Sequence, residues 1–289
     1  MRLATCAHGG EAVLGVVTGE RVKLLPAADG WPATMVEWIT AGRVPSERFR
    51  EDADRVPVTP REQIDFLAPI PRPRKNLVCL GKNYAAHARE LSSAKVGVDR
   101  LPRHPLVFTK APTTVNGPYA TIPFDPAVSR EIDWEVELGV VIGREGKNIS
   151  RETALAHVFG YTVLNDISAR DIQYRHKQFF LGKSLDGACP MGPWIVTADE
   201  IPDPQNLDLR CWVNGELKQE GNTSEQLFSV AETISILSRG HTLEPGDIIA
   251  TGTPSGVGFA RKPPEFLRPG DAVECEIEGI GRLRNVVGS

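Results

Sequence analysis

The chain has 289 residues, of which 41% are hydrophobic and 24% charged, ordinary values for a globular protein able to bury a sizeable core. Its net charge of −4 provides no basic stripe, so nucleic acid is not an expected partner. No stretch approaches the roughly 18 apolar residues of a membrane span and the N-terminus lacks a signal-peptide core, so a cytoplasmic protein without a membrane partner is expected.

The first 72 residues read as a small N-terminal domain. It holds strand-like pieces over 12–17 and 21–25 and a helix over 32–41, with Pro32 suited to the first turn and Gly42 to the stop. The run Pro69-Ile-Pro-Arg-Pro-Arg74 favours extended backbone and marks a boundary, which leaves 73–289 as the main domain. Beyond it the pattern predicts mostly strand with a few helices, and the 27 glycines and 23 prolines fit short strands joined by tight turns. One helix is expected after Ser150, burying Leu155, Val158 and Phe159, and another from Ser224 as N-cap, burying Leu227, Val230, Ala231, Ile234 and Leu237 and stopping at Gly240. Between them Asn214-Gly215 is a two-residue hairpin signal. Over 272–277, Val273, Cys275 and Ile277 alternate with polar residues as in a half-buried strand. The five cysteines are scattered and lack a CxxC pair, so reduced, mostly buried thiols are expected.

The chemistry concentrates on acids. In Asp133-Trp-Glu-Val-Glu-Leu-Gly-Val-Val-Ile142, Glu135 and Glu137 share one strand face while Val136, Leu138 and Val140 take the other. The run continues as a buried strand, and buried like charges need a partner. A hard divalent cation, magnesium or manganese, suits oxygen ligands better than zinc does. A solvated face is the alternative, since Glu274 and Glu276 show the same spacing where water is the simpler partner. His87 and Glu90 lie three apart on a short helix and can hydrogen-bond, which orients an imidazole as a base. The glycine-rich 251–258 turn follows a strand and lets backbone amides approach an anion, but it lacks the Gly-Lys-Ser/Thr of a phosphate loop. His8, His104, His157, His176 and His241 have no comparable partner pattern.

Five ordered blocks resemble the fumarylacetoacetate hydrolase family over roughly residues 70–287. They are Gly81-Lys-Asn-Tyr-Ala-Ala-His-Ala-Arg-Glu90, the Glu135/Glu137 strand, Asn165-Asp-Ile-Ser-Ala-Arg-Asp-Ile-Gln173, Phe180-Leu-Gly-Lys-Ser184 and Thr251-Gly-Thr-Pro-Ser-Gly-Val-Gly258. The resemblance implies a β-sandwich roll with few helices, and a magnesium or manganese ion held by Glu135, Glu137 and Asp166. The fourth aspartate ligand of the animal enzymes has no counterpart in 81–86, which leaves that position to water. The family pattern makes His87, Glu90 and Lys183 catalytic, with Lys183 toward the reacting carbonyl. It puts Arg170, Gln173 and Thr253 at the substrate, Arg170 more as support for the carboxylates. It also implies a mobile lid that includes the 92–97 run, a distal pocket drawn in part from 91–105, and a homodimer.

The function expected from this pattern is metal-dependent hydrolysis of the carbon–carbon bond of 2,4-diketo acids through a pyruvate enolate. The alternative is an oxaloacetate decarboxylase or tautomerase, or an isomerase or decarboxylase of aromatic-catabolic 2-oxo diacids, since these share the same enolate. A purely structural metal site is disfavoured by the intact His87, Glu90 and Lys183.

Overall fold

The computed structural model describes residues 1–93 and 101–288. Most of the 92–97 run expected to act as a lid, and part of the 91–105 segment expected at the distal pocket, lie outside the described residues.

The architecture is mainly β. A long sheet runs in the order Val58–Pro60, Arg21–Leu25, Glu11–Thr18, Arg2–His8, Cys189–Thr197, Val158–Asn165, Val136–Ile142, Ile248–Ala250, Leu77–Gly81 and Leu106–Lys110. Along this path neighbours are antiparallel except Ile248–Ala250 with Leu77–Gly81. A second, four-stranded sheet has the order Glu216–Asn222, Asp208–Val213, Ala272–Ile277 and Gly281–Val286. Its inward residues Leu209, Cys211, Val213, Val273, Cys275, Ile277 and Leu283 share one core with Val136, Leu138, Val140 and Ile142 of the long sheet. Two sheets facing each other across an apolar layer make a sandwich.

The position near residue 73 where a boundary was expected lies between the Asp65–Leu67 and Leu77–Gly81 strands. The N-terminal strands nonetheless hydrogen-bond into the long sheet, with Arg2 and Leu3 opposite Val196 and Ile195. Leu3, Leu14, Trp31, Trp38 and Ile39 pack in one cluster with Leu77, Val141, Leu164 and Ile195.

The Asn214-Gly215 hairpin is present, with φ of 52° and 80° at the two residues, as a two-residue turn with both central φ positive requires. Over 272–277 the inward and outward alternation also holds, and Glu274 and Glu276 on the outer side pair with Arg282. All five cysteines are free and buried. The early helix is shorter than expected, Met35–Thr40: Thr34 is its N-cap, accepting from the Glu37 amide, so Pro32 precedes the helix and does not sit in its first turn.

Two helix expectations are corrected. After Ser150 there is only a short 3-10 turn, Ala154–His157, which leaves Leu155 exposed, and Val158 and Phe159 open the strand Val158–Asn165. The run Val-Phe-Gly-Tyr-Thr-Val-Leu is rich in β-branched and aromatic residues, and that preference outweighs the spacing of its apolar positions. The helix expected from Ser224 starts later, as Val230–Leu237, with Ser229 as N-cap accepting from the Glu232 amide. Ser229-x-x-Glu232 is the better start signal; Ser224 sits in a 3-10 turn capped by Asn222.

Gly160 shows how tightly the central strands are set. A Cβ there would lie 2.3 Å from the Val196 carbonyl oxygen, so a side chain forces two buried strands apart. Gly160→Ala is expected to cost about 1–3 kcal/mol, the range for overpacking a filled core, read as a lower urea midpoint at unchanged slope. An unchanged midpoint would show that these strands can shift freely.

Candidate metal and acid–base site

Strand register brings the acids together. Val136 is opposite Asn165 and Glu137 opposite Leu164 in the antiparallel pair, and the Asp166 amide continues the ladder by donating to the Glu135 carbonyl at 2.8 Å. Residues directly opposite on such a ladder share a face, so Asp166 joins Glu135 and Glu137. One oxygen from each of the three carboxylates lies within 4.8 Å of the others, and all three residues are buried.

Cations surround this cluster. Lys183, at the end of the short helix Phe180–Lys183, donates to Glu135 Oε2 at 2.6 Å and to Asp166 Oδ2 at 2.7 Å. Lys110, the last residue of Leu106–Lys110, is fully buried and donates to Asp166 Oδ1 at 2.7 Å and the Ile167 carbonyl at 3.1 Å. Arg170, on the helix Arg170–Arg175, pairs with Glu135 Oε1 at 2.7 Å and with Asp133 Oδ2 at 2.8 Å, and donates from Nη1 to Gln173 Oε1 at 3.0 Å. Its guanidinium thus faces acids, with Nη2 at ion-pair distance from both and without a hydrogen bond of its own among the described residues. Lys110 and Asp133 escaped the sequence reading, although Asp133 opens the same strand run and a lysine ending an apolar strand is itself a signal.

Glu137 differs from its neighbours. Among the described residues it has no ion-pair partner; its Oε2 accepts from the Gly252 amide at 2.8 Å. Burial and the nearby Asp166 and Glu135 push its carboxyl well above the usual range. Burial also raises Glu135, but Lys183 and Arg170 outweigh it and hold that carboxyl well below the usual range. Three buried carboxylate oxygens, one belonging to an acid without a cation of its own, are a donor set that fits a hard divalent ion.

The glycine-rich turn serves the site from within. The amide of Gly252 goes to Glu137, that of Gly256 to Glu90 at 3.0 Å, and those of Gly258 and Phe259 to Asp133 at 2.7 and 3.0 Å. Gly256 has φ of 105°, and a Cβ there would meet the Lys218 carbonyl oxygen at 2.0 Å, so no other residue fits the turn. Thr253 donates its hydroxyl to the Val136 carbonyl at 2.9 Å and accepts from Gln219 at 2.8 Å.

His87 is buried on the helix Ala85–Ser93, and its Nδ1 is 3.3 Å from Glu90 Oε2. It faces Glu135, Glu137, Arg170, Gln173, Lys183 and Thr253 across a cavity of about 160 Å³. Leu80, Leu106, Phe108 and Phe179 form the apolar part of that wall. Of the nine residues expected from sequence, seven line this cavity; Asp166 stands behind Lys183 and Glu90 behind His87. Such a constellation can hold a small oxygen-rich anion on a cation and exchange a proton with it.

The model of the fumarylacetoacetate (FAA) hydrolase C-terminal domain matches residues 76–288. The chain belongs to the fumarylacetoacetate hydrolase family. It is 52% identical over 226 residues to oxaloacetate tautomerase YisK of Bacillus subtilis, covering 78% of this chain and 74% of that one. The solved fumarylacetoacetate hydrolase of psychrophilic Exiguobacterium antarcticum superposes with a TM-score of 0.87 at 40% identity, covering 100% of this chain and 99% of that one. Maleylpyruvate hydrolase of Sphingobium sp. SYK-6, solved with manganese(II) and pyruvate, gives a TM-score of 0.82 at 29% identity over 100% of both chains. Among these, the tautomerase agrees with the alternative drawn from sequence better than with the acylpyruvate hydrolase placed first.

The isolated position of Glu137 generates a test. Its raised carboxyl means that the folded protein holds this proton more tightly than the unfolded chain does, so ionised Glu137 subtracts stability as pH rises above the ordinary carboxylate range and subtracts none below it. In chelator-treated protein at neutral pH, Glu137→Gln is expected to melt higher than wild type, with the gain vanishing in acid. Added manganese should raise the melting temperature of wild type and leave that of the variant nearly unchanged. A variant that melts lower than wild type in chelator would mean that the ionised carboxylate is already compensated.

Proposed function

We propose that this enzyme interconverts the keto and enol forms of a small 2-oxo acid, with oxaloacetate as the substrate, using magnesium or manganese. The observation that carries the reading is the acid–base pair of buried His87 with partly buried Glu90, set across a small cavity from the acidic cluster, in a chain 52% identical to an oxaloacetate tautomerase. The cavity is small beside the roughly 300–1,000 Å³ of drug-sized ligand sites, which suits a four-carbon acid.

Glu135, Glu137 and Asp166 would hold the cation. When bound, it supplies Lewis-acid polarisation of the 2-oxo group and charge for the adjacent carboxylate. His87 takes a proton from C3 of the keto form. The C–H electron pair becomes the C2–C3 double bond and the carbonyl π pair moves to the oxygen, which takes up the proton that His87 gives back, directly or through a water, to give the enol and restore the imidazole. Glu90 fixes the imidazole tautomer and stabilises its protonated form, and Gly256 fixes Glu90. Lys183 supplies an ammonium for the oxygen as charge builds on it. Leu106, Phe108 and Phe179 add apolar surface to the cavity wall, which would reduce the water in contact with a bound enol.

Three assays on the manganese-loaded protein test the reading: enol absorbance of oxaloacetate, carbon dioxide release from it, and loss of diketo absorbance from a panel of acylpyruvates. Tautomerisation is expected to be the fastest by a wide margin. His87→Ala should lower it by about 10²-fold or more, the usual scale of general acid–base catalysis, while manganese affinity by calorimetry stays near wild type. Faster cleavage of any acylpyruvate than tautomerisation of oxaloacetate would return the function to hydrolysis.

A further inference from the structure

The strand Leu77–Gly81 ends on the cavity wall, and the next residue, Lys82, also lines the cavity. Lys82 has φ of 55°, a left-handed conformation that costs a residue without a short polar side chain about 1–2 kcal/mol. The neighbouring Asn83 imposes it. Asn83 is fully buried, donates to the carbonyls of Phe228 at 3.0 Å and Thr251 at 2.8 Å, and accepts from the Phe228 amide at 2.8 Å. These three bonds pin the loop, so Lys82 leaves the backbone at a fixed point of the wall. Strain held in this way by surrounding structure is characteristic of ligand clamps.

The charges make Lys82 informative. Lys110, Lys183 and Arg170 are all bound to the site's own carboxylates. Lys82 is half-buried and, among the described residues, has neither an ion pair nor a side-chain hydrogen bond. It lines the same cavity as the apolar side chains of Leu80, Leu106, Phe108 and Phe179, and no carboxylate of the site holds it. An ammonium in that setting calls for an anion delivered by the ligand.

We propose that Lys82 receives the distal carboxylate of a dicarboxylic 2-oxo acid and thereby sets a preference for such substrates over monocarboxylic ones. The inference rests on the 2-oxo-acid reading above and names what that reading leaves open, the recognition of the far end of the substrate. With a divalent cation held by the acidic cluster engaging one end and Lys82 the other, the substrate would be oriented with C3 toward His87.

The test compares Lys82→Met, which keeps length and loses charge, with Lys82→Arg, which keeps charge. For oxaloacetate, Lys82→Met is expected to lower kcat/KM about tenfold or more, chiefly through KM, equivalent to a partly desolvated ion pair. Exchange of the C3 protons of pyruvate, followed by nuclear magnetic resonance, should fall by much less, and Lys82→Arg should recover most of the oxaloacetate loss. Equal losses on the two substrates, or no loss on oxaloacetate, would overturn the proposal. Calorimetry with pyruvate and with oxaloacetate fluorinated at its methylene carbon, which has no proton to exchange, separates this failure from that of the functional reading. If wild type prefers the dicarboxylate and Lys82→Met abolishes the preference, Lys82 has its role even where tautomerisation is slow. If the variant keeps the preference, Lys82 does not make it. Melting curves and the calorimetric response to pyruvate serve to show that both variants are folded.

Discussion

The structure is organised around the difficulty of burying four carboxylates close together. Asp133, Glu135, Glu137 and Asp166 are all almost inaccessible to solvent, and an ionised carboxylate removed from water costs several kcal/mol unless compensated. The compensation arrives from separate elements: Lys110 from a strand end, Arg170 and Lys183 from two short helices, and a row of amides from the turn after Ile248–Ala250. Three cations face four acids, and Glu137 is the acid left over. A divalent ion would turn this deficit of positive charge into a small excess, which is the condition for holding a carboxylate-bearing ligand.

This arrangement also explains why the polar groups most suited to contacting a ligand are not free to do so. The turn amides are bound to Glu137, Glu90 and Asp133, the guanidinium of Arg170 is bound to Asp133 and Glu135, and Thr253 bonds Val136 and Gln219. The amides and Arg170 hold the acidic side chains in place, and Thr253 ties the turn to the Glu135/Glu137 strand. Preorganisation of this kind matters because a misplaced oxygen weakens both metal affinity and the stabilisation of developing charge.

Much of this was legible in the sequence, for reasons tied to period. Glu135 and Glu137 declare a shared face through a spacing of two, His87 and Glu90 through a spacing of three, and Asn214-Gly215 through its demand for positive φ. What period cannot express is register between strands distant in sequence. Nothing local puts Asp166 opposite Glu135, and the family resemblance supplied that ligand. Lys110 and Asp133 went unread because their meaning depends on partners 56 and 37 residues away. The misplaced helices have a different origin. Over 150–159 a few apolar positions at helical spacing competed with a β-branched and aromatic run, and at Ser224 a plausible cap stood five residues ahead of the real N-cap at Ser229.

The division of labour within the site bears on how one fold serves several reactions of 2-oxo acids. The acidic cluster, its cations and the turn form a fixed unit that any of these reactions can use, since hydrolysis, decarboxylation and tautomerisation all need an oxygen pair held and a developing enolate stabilised. The acid–base group comes from a different element, the helix carrying His87, which reaches this unit through Glu90 and Gly256. The remaining variable is the apolar end of the cavity. Leu80 and Leu106 line it beside Lys82, while Phe108, with Phe179 packed on it, lies against Lys183. A leaving acyl group needs room and a water at that end, whereas a carboxylate that stays attached needs a cation and dryness. On the proposed reading, the buried cluster would supply the shared chemistry, and selection among reactions would fall to the few residues that meet the far end of the substrate.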